Sequence, residues 1–175
     1  SSKTAKRLTE TDAFETDVKF SPKGNYVSFI REQNIFVLNI ESGEEKQLTK
    51  DGASNNIKNG MSEFVAQEEM GRMTGYWWSP DEKHIAFTQV DESPVEQITR
   101  SEIYADSIKM VTQRYPSAGT NNVLIKLAVI DVTTKQKQWV DLGDEQDIYL
   151  ARVMWMKDSS VLTYQIQDRS QQYLA

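Results

Sequence analysis

The 175-residue sequence contains no cysteine, a single histidine and no long apolar run. Without cysteine the chain has no disulfide and no thiolate metal ligand, and its compartment stays open. No apolar stretch approaches the ~20 residues that span a bilayer, so we expect no membrane segment. The histidine, His84, begins a strand pattern without an evident acidic partner, which favours a surface role over catalysis.

Motifs for catalysis and metal binding are missing as well. The sequence has no G-x-S-x-G elbow, no H-E-x-x-H and no P-loop. A Ser-His-Asp site needs a suitably placed histidine, and none is evident. The acidic run at 141–147 lacks the residue order of a calcium loop, so we interpret it as a solvated turn. We therefore expect no catalytic residue, no metal site and no cofactor in this stretch.

Positive charge is in the minority, with 20 lysines and arginines against 26 aspartates and glutamates, a net charge of −6 and a pI near 4.9. A surface of this sign repels phosphate and anionic membranes, which argues against nucleic-acid partners. Amine-bearing ligands remain compatible with it. The 38% of hydrophobic residues are enough to build a core, so a disordered chain is excluded.

What the sequence does contain is a repeat. Three stretches share one pattern: VKFSPKGNYVSFI, YWWSPDEKHIAFT and VMWMKDSSVLTYQ. Each has an aromatic anchor, a turn and an alternating strand; the anchors are Phe20, Trp78 and Trp155. Strands are predicted at 26–30, 34–40, 84–88, 123–132 and 161–165. Four short antiparallel strands per repeat are typical of a β-propeller blade.

The repeats are stretched by two insertions. The anchors lie 58 residues (78 − 20) and 77 residues (155 − 78) apart, whereas a blade takes ~40–50. The surplus falls in Ser54–Gly75 and in roughly 91–122. The first insertion predicts a helix from Ser62, as N-cap, to about Met70, ended by Gly71. The second predicts a hairpin arm, from its alternation at 108–115. The fold class is thus all-β: a partial propeller of about two to three four-stranded antiparallel blades.

Two adjacent acids, Glu68 and Glu69, precede two adjacent tryptophans. Adjacent acids on a short helix usually face water. Alternatively, Glu68 pairs with Arg72 one turn on, for ~0.3–0.5 kcal/mol. In the third interpretation both carboxylates, near the helix end, hold a small cation such as a primary ammonium, which has three donors. Trp77 and Trp78 point to opposite faces of a strand and are expected to be core residues that anchor the insertion.

The block QEEMGRMTGYWWSPDEKHIAF, followed by DES and by RYPSAGTNN before VLIKLAVIDV, resembles the propeller domain of the dipeptidyl peptidase IV family, most of all its bacterial members. The resemblance extends from about Thr11 to Ala175. It implies that residues 1–175 are a fragment of the N-terminal propeller domain, without the C-terminal α/β-hydrolase domain that carries the Ser-Asp-His triad. The final stretch, SVLTYQIQDRSQQYLA, resembles the opening of a further strand and supports the same expectation.

Function also follows from this resemblance. The family members that this chain resembles are serine exopeptidases that remove dipeptides, with proline or alanine second, from free N-termini. A short propeller helix in the family carries two glutamates that bind the substrate α-ammonium; by match these are Glu68 and Glu69. The family's assisting arginine has no assigned counterpart here. Ala66 and Gln67 depart from the mammalian pattern, in which these positions are aromatic and acidic.

The partners implied are peptides with a free N-terminus, the protein's own hydrolase domain, and a second copy bound through the arm near 91–119. The resemblance favours a periplasmic or secreted location and implies no cofactor. Two alternatives stay open: a non-catalytic propeller that binds proteins, and a peptidase of the acylaminoacyl or prolyl oligopeptidase type. A peptidase of the latter type has no need of an ammonium site. A preference for substrates with free over blocked N-termini therefore distinguishes a dipeptidyl peptidase from it.

Overall fold

The computed structural model describes residues 5–52 and 56–175, which form thirteen strands and one short helix. The predicted start of the first insertion, Ser54, lies outside these residues. In chain order the elements are β1 (Glu15–Phe20), β2 (Tyr26–Arg31), β3 (Asn34–Asn39), β4 (Glu45–Gln47), β5 (Ile57–Asn59), α1 (Phe64–Glu68), β6 (Tyr76–Trp78), β7 (His84–Asp91), β8 (Gln97–Ile103), β9 (Ile108–Arg114), β10 (Leu124–Asp131), β11 (Lys137–Trp139), β12 (Ile148–Trp155) and β13 (Leu162–Asp168). No helix in the described ranges has the length and apolar character that a bilayer crossing needs.

The strands form two complete antiparallel blades and the opening pair of a third. The first blade has the order β1-β2-β3-β4. In the second, β11, β10 and β7 follow one another, and both β5 and β6 pair with β7 in the position of the first strand. The third blade contributes β12 and β13. The predicted all-β partial propeller is confirmed, and the second insertion forms the predicted hairpin, β8-β9.

The three aromatic anchors keep one register across the blades. They pair with the neighbouring strand as Phe20 with Val27, Trp78 with Ile85, and Trp155 with Leu162. Trp78 and Trp155 both pack towards the preceding blade. Phe20 faces away from the second blade and is 73% exposed. The repeat found in the sequence is therefore a repeat of blade-to-blade packing.

Most of the core lies between blades, and a smaller cluster covers the other face of the first blade. One cluster joins Ile30 and Ile35 of the first blade to Tyr76, Trp78 and Phe87 of the second. A second cluster joins the other face of the second blade to the third, and Trp77 packs against it. As predicted, the adjacent tryptophans serve opposite faces, because successive side chains of a strand alternate. The strand that follows the first insertion is thus held from both sides.

Candidate functional site

The first insertion leaves the second blade between β5 and β6. β5 pairs with residues 89–91 of β7 and β6 with residues 85–87, so the intervening chain is expelled opposite Thr88. We call residues 60–75 the excursion loop. The N–H of Gly60 donates to the carbonyl of Thr88, and the N–H of Thr88 donates to the carbonyl of Gly75, both at 2.8 Å. Thr88 therefore holds both ends of the excursion loop, the chain next to Gly60 and the chain next to Gly75, which we call its two legs.

The two legs approach so closely that one position accepts only glycine. The Thr88 hydroxyl donates to the carbonyl of Met61 at 2.8 Å, which brings that backbone against the opposite leg. A Cβ on Gly75 would lie 2.4 Å from the carbonyl carbon of Met61, far inside van der Waals contact. Gly60 has a φ of 72°, in the region that favours glycine. The base of the excursion loop is narrow and fixed.

The loop carries α1, which is shorter than predicted. The predicted N-cap, Ser62, is wrong: the cap is Glu63, whose carboxylate accepts from the N–H of Ala66 at 2.6 Å. The Ser62 hydroxyl is buried and has no hydrogen-bond partner among the described residues. The end also differs from the prediction, since α1 stops at Glu68 with Glu69 as its C-cap, before Met70. Gly71 follows with a φ of 61°, and the next N–H, of Arg72, donates to the carbonyl of Ala66 at 2.9 Å.

Arg72 does not pair with Glu68, which was one interpretation of the sequence. Its Nη2 lies 3.2 Å from Oε1 of Glu63, and the two side chains are only 4% and 3% exposed. Its Nε donates to the carbonyl of Leu150 and its Nη1 to that of Thr74, both at 3.0 Å. Burial raises the pKa of the Glu63 carboxyl, while the hydrogen bond from Ala66 and the charge of Arg72 oppose the rise. The guanidinium of Arg72 therefore binds groups inside the protein and is not available to Glu68.

Glu68 and Glu69 lie side by side at the end of α1, and both are exposed. Neither carboxylate has a hydrogen-bond or ion-pair partner in residues 5–52 and 56–175. With Arg72 bound elsewhere, this leaves the two other interpretations of the pair, a solvated face or a cation site. Two free carboxylates on a braced loop can accept up to three hydrogen bonds from one ammonium group.

The start of α1 contacts the base of the hairpin arm. The rings of Phe64 and Tyr115 meet edge to face with centroids 5.0 Å apart. Beside them a cavity of about 20 Å³, lined in part by Glu63, Arg114 and Asn122, has room for about one water. The Nδ2 of Asn122 is buried there without a partner among the described groups. Sequence reasoning gave no sign of this contact, because it joins residues of two separate insertions.

His84 has an acidic neighbour that the sequence did not reveal. It lies opposite Asp131 across β7 and β10, with Nε2 3.8 Å from the carboxylate, and its side chain is 37% exposed. The absence of an acidic partner was a wrong prediction, while the surface position is confirmed. The acidic run at 141–147 forms a mostly exposed turn, as expected. Within the described ranges no three potential metal ligands cluster.

Comparison with known proteins places this geometry in a family. The family model described as the dipeptidyl peptidase IV N-terminal region matches residues 1–175. The crystal structure of Porphyromonas gingivalis dipeptidyl peptidase 4 superposes with a TM-score of 0.89 at 30% identity, over 97% of this chain and 24% of that one. Dipeptidyl aminopeptidase A of Saccharomyces cerevisiae is 26% identical over 162 residues, 89% of this chain and 17% of its own length.

A mouse relative carries a different name. Prolyl endopeptidase FAP of Mus musculus is 30% identical over 117 residues, 65% of this chain and 15% of its own length. The chain thus spans a quarter or less of each of these three proteins. The match over the whole sequence, together with the shared propeller geometry, confirms the resemblance found in the residues. The chain belongs to the family of dipeptidyl peptidase IV N-terminal regions.

Proposed function

We propose that this chain is the substrate-recognition segment of a serine-type dipeptidyl aminopeptidase that releases X-Pro or X-Ala dipeptides from free peptide N-termini. In this proposal residues 1–175 form part of the N-terminal propeller domain, and the catalytic triad belongs to a C-terminal hydrolase domain outside them. The observation that carries the proposal is the pair Glu68 and Glu69, two exposed carboxylates without partners among the described residues.

The position of the excursion loop supports this role. β5 and β6 together take the place of the first strand of their blade, as β1 and β12 do in the other two. The blades of a propeller surround a central channel, which their first strands line. A loop that leaves and rejoins such a strand presents its helix at this channel. A peptide end that enters there meets the glutamate pair.

The chemistry of the pair fits the α-ammonium of a peptide. A primary ammonium has three donors and no acceptor, and carboxylates are its strongest hydrogen-bond partners. Once the amine is fixed, the carbonyl of the second residue lies at a set distance from it. Binding energy far from the reacting bond then positions that carbonyl for the serine nucleophile. The bond that is cleaved is thereby fixed at two residues from the N-terminus of the peptide.

The test compares two substrates of the full-length protein that differ only at the amine. We expect a Gly-Pro amide with a free amine to be cleaved and its N-acetylated form to resist cleavage, because acetylation removes the cation. Turnover of both is followed by release of a chromogenic amine. Equal cleavage of the two substrates would support an endopeptidase, as the name of the mouse relative describes, and no cleavage of either would support a non-catalytic propeller.

We further propose that the β8-β9 arm joins two copies of the protein. On one face of the hairpin three large apolar side chains are exposed: Ile103 (79%), Ile108 (66%) and Met110 (62%). Cross-strand pairing of Ile103 with Ile108 and of Ser101 with Met110 brings them together. Such a cluster on a projecting hairpin is typical of an interface. A second copy is the partner that offers the same surface in return.

Polar substitution on this face is expected to separate the copies. Ile108→Gln with Met110→Gln should convert a dimer of the full-length protein into a monomer, measured by light scattering after size exclusion. The matched control is Lys109→Gln, which adds the same side chain on the opposite face and should leave the dimer intact. If the double variant still forms a dimer, with the same dependence on protein concentration as the wild type, the proposal is contradicted.

A further inference from the structure

The buried ion pair of Glu63 and Arg72 closes the segment that carries the glutamate pair. Glu63 caps the start of α1, and Arg72 follows Gly71, just beyond its end. Their contact therefore joins two residues that lie nine positions apart in sequence (72 − 63), one on each side of α1. Buried ion pairs contribute little to stability compared with apolar residues of similar size. A role in geometry explains this one better than a role in stability.

Arg72 also ties this segment to the third blade. Its Nε donates to the carbonyl of Leu150 in β12. The pairing of β12 with β13 shifts register between Leu150 and Arg152, which marks a β-bulge. A bulge interrupts the ladder of hydrogen bonds and turns backbone groups out of it. The carbonyl at this interruption is the one that Arg72 reaches.

The first blade holds the same leg of the excursion loop from the opposite side. β1 has a register shift between Thr16 and Lys19, and Asp17, within the shift, has a φ of 50°. The Thr74 hydroxyl donates to the carboxylate of Asp17 at 2.7 Å, and the Tyr76 hydroxyl donates to its carbonyl. The first strands on both sides of the loop thus each use a bulge to hold it.

We propose that Glu63 and Arg72 are positioning residues, which set the height and direction of Glu68 and Glu69 relative to the third blade. This inference rests on the proposed function, since it concerns the same amine site. Glu63 and Arg72 are both buried, so neither touches the substrate. Their effect on the reaction passes through the glutamate pair alone. The pair must be held closely, because a displacement of about 1 Å costs as much as about 100-fold in rate.

Two conservative substitutions disturb the ion pair while they preserve most of the packing. Arg72→Lys keeps the positive charge, but one nitrogen cannot reach three acceptors that lie in different directions. Glu63→Gln keeps an oxygen for the N–H of Ala66 but places an amide nitrogen against the guanidinium. The matched control is Arg31→Lys on the first blade, where Arg31 forms ion pairs with Glu15 and Glu45.

The experiment measures kcat/KM of the full-length protein on two substrates: an X-Pro amide with its α-amine, and the des-amino analogue with hydrogen in its place. We expect Arg72→Lys and Glu63→Gln to lower kcat/KM for the amine substrate by about 10- to 100-fold. The des-amino analogue should change by less than about twofold, since it makes no contact with the glutamate pair. Arg31→Lys should leave both values unchanged.

Equal losses on both substrates would show a merely structural role and overturn the inference, as would an unchanged preference for the amine. If Arg72→Lys does not fold, Glu63→Gln decides. A further variant, Glu68→Gln with Glu69→Gln, separates the two proposals. If it leaves the amine preference intact, the amine site itself is wrong. If it removes the preference while Arg72→Lys and Glu63→Gln do not, only the positioning role is wrong.

Discussion

In the full-length protein, Glu68→Gln and Glu69→Gln are each expected to reduce cleavage of a dipeptide amide with a free amine, and together almost to abolish it. A hydrogen bond to a charged group contributes ~1.5–3 kcal/mol, so loss of both carboxylates costs ~3–6 kcal/mol. At 1.36 kcal/mol for each factor of ten, this corresponds to a ~10²–10⁴-fold loss in kcat/KM. Steady-state kinetics on a chromogenic X-Pro amide measures it.

Glutamine keeps the size and helix propensity of glutamate, and both positions are exposed, so folding should be unaffected. The matched control is Glu41→Gln, which removes another exposed carboxylate, from a turn of the first blade. It should leave kcat/KM unchanged. If the double variant at 68 and 69 cleaves as fast as this control, the pair has no part in the reaction, and its solvated interpretation is right.

The second large effect is expected from Gly75→Ala. The added methyl group would lie 2.4 Å from the carbonyl carbon of Met61 and 2.5 Å from its N and O atoms, and a backbone cannot rotate away as a side chain can. Overpacking of this kind costs ~1–3 kcal/mol. The excursion loop must open at its base, and the glutamate pair moves with it. We expect a lower melting temperature and a loss of amine preference of about 100-fold.

A control for the glycine itself is Gly43→Ala. Gly43 has a φ of 74°, but no atom lies within 4 Å of the place that an added methyl group would take, so only the left-handed backbone is strained, at about 1–2 kcal/mol. This variant should lose some stability and keep its preference for the amine substrate. Wild-type kinetics and stability in Gly75→Ala would show that the pinched base of the loop does not fix the site.

The blades could be predicted from sequence because their signals are local and repeated. An aromatic anchor, a turn and an alternating strand lie within about thirteen residues, and the same blade-to-blade packing selects them each time. The arm is likewise a local alternation. The position of Glu68 and Glu69 near a helix end followed from Gly71, and the structure places them there, as the last helical residue and the C-cap.

The supports of the loop could not be predicted, because they join residues that are distant in sequence. Arg72 bonds to a carbonyl 78 residues further on, and Asp17 meets Thr74 across 57 residues. Local spacing instead offered Glu68 as one possible partner of Arg72. The N-cap was missed for a related reason. Glu63 outcompetes Ser62 because its carboxylate serves the helix and the arginine at once.

The most direct test of the account is a crystal structure of the full-length protein with a bound dipeptide product. We expect carboxylate oxygens of both Glu68 and Glu69 to lie at about 2.7–2.9 Å from the α-ammonium nitrogen. An ammonium held by other side chains, with Glu68 and Glu69 still turned to solvent, would contradict it.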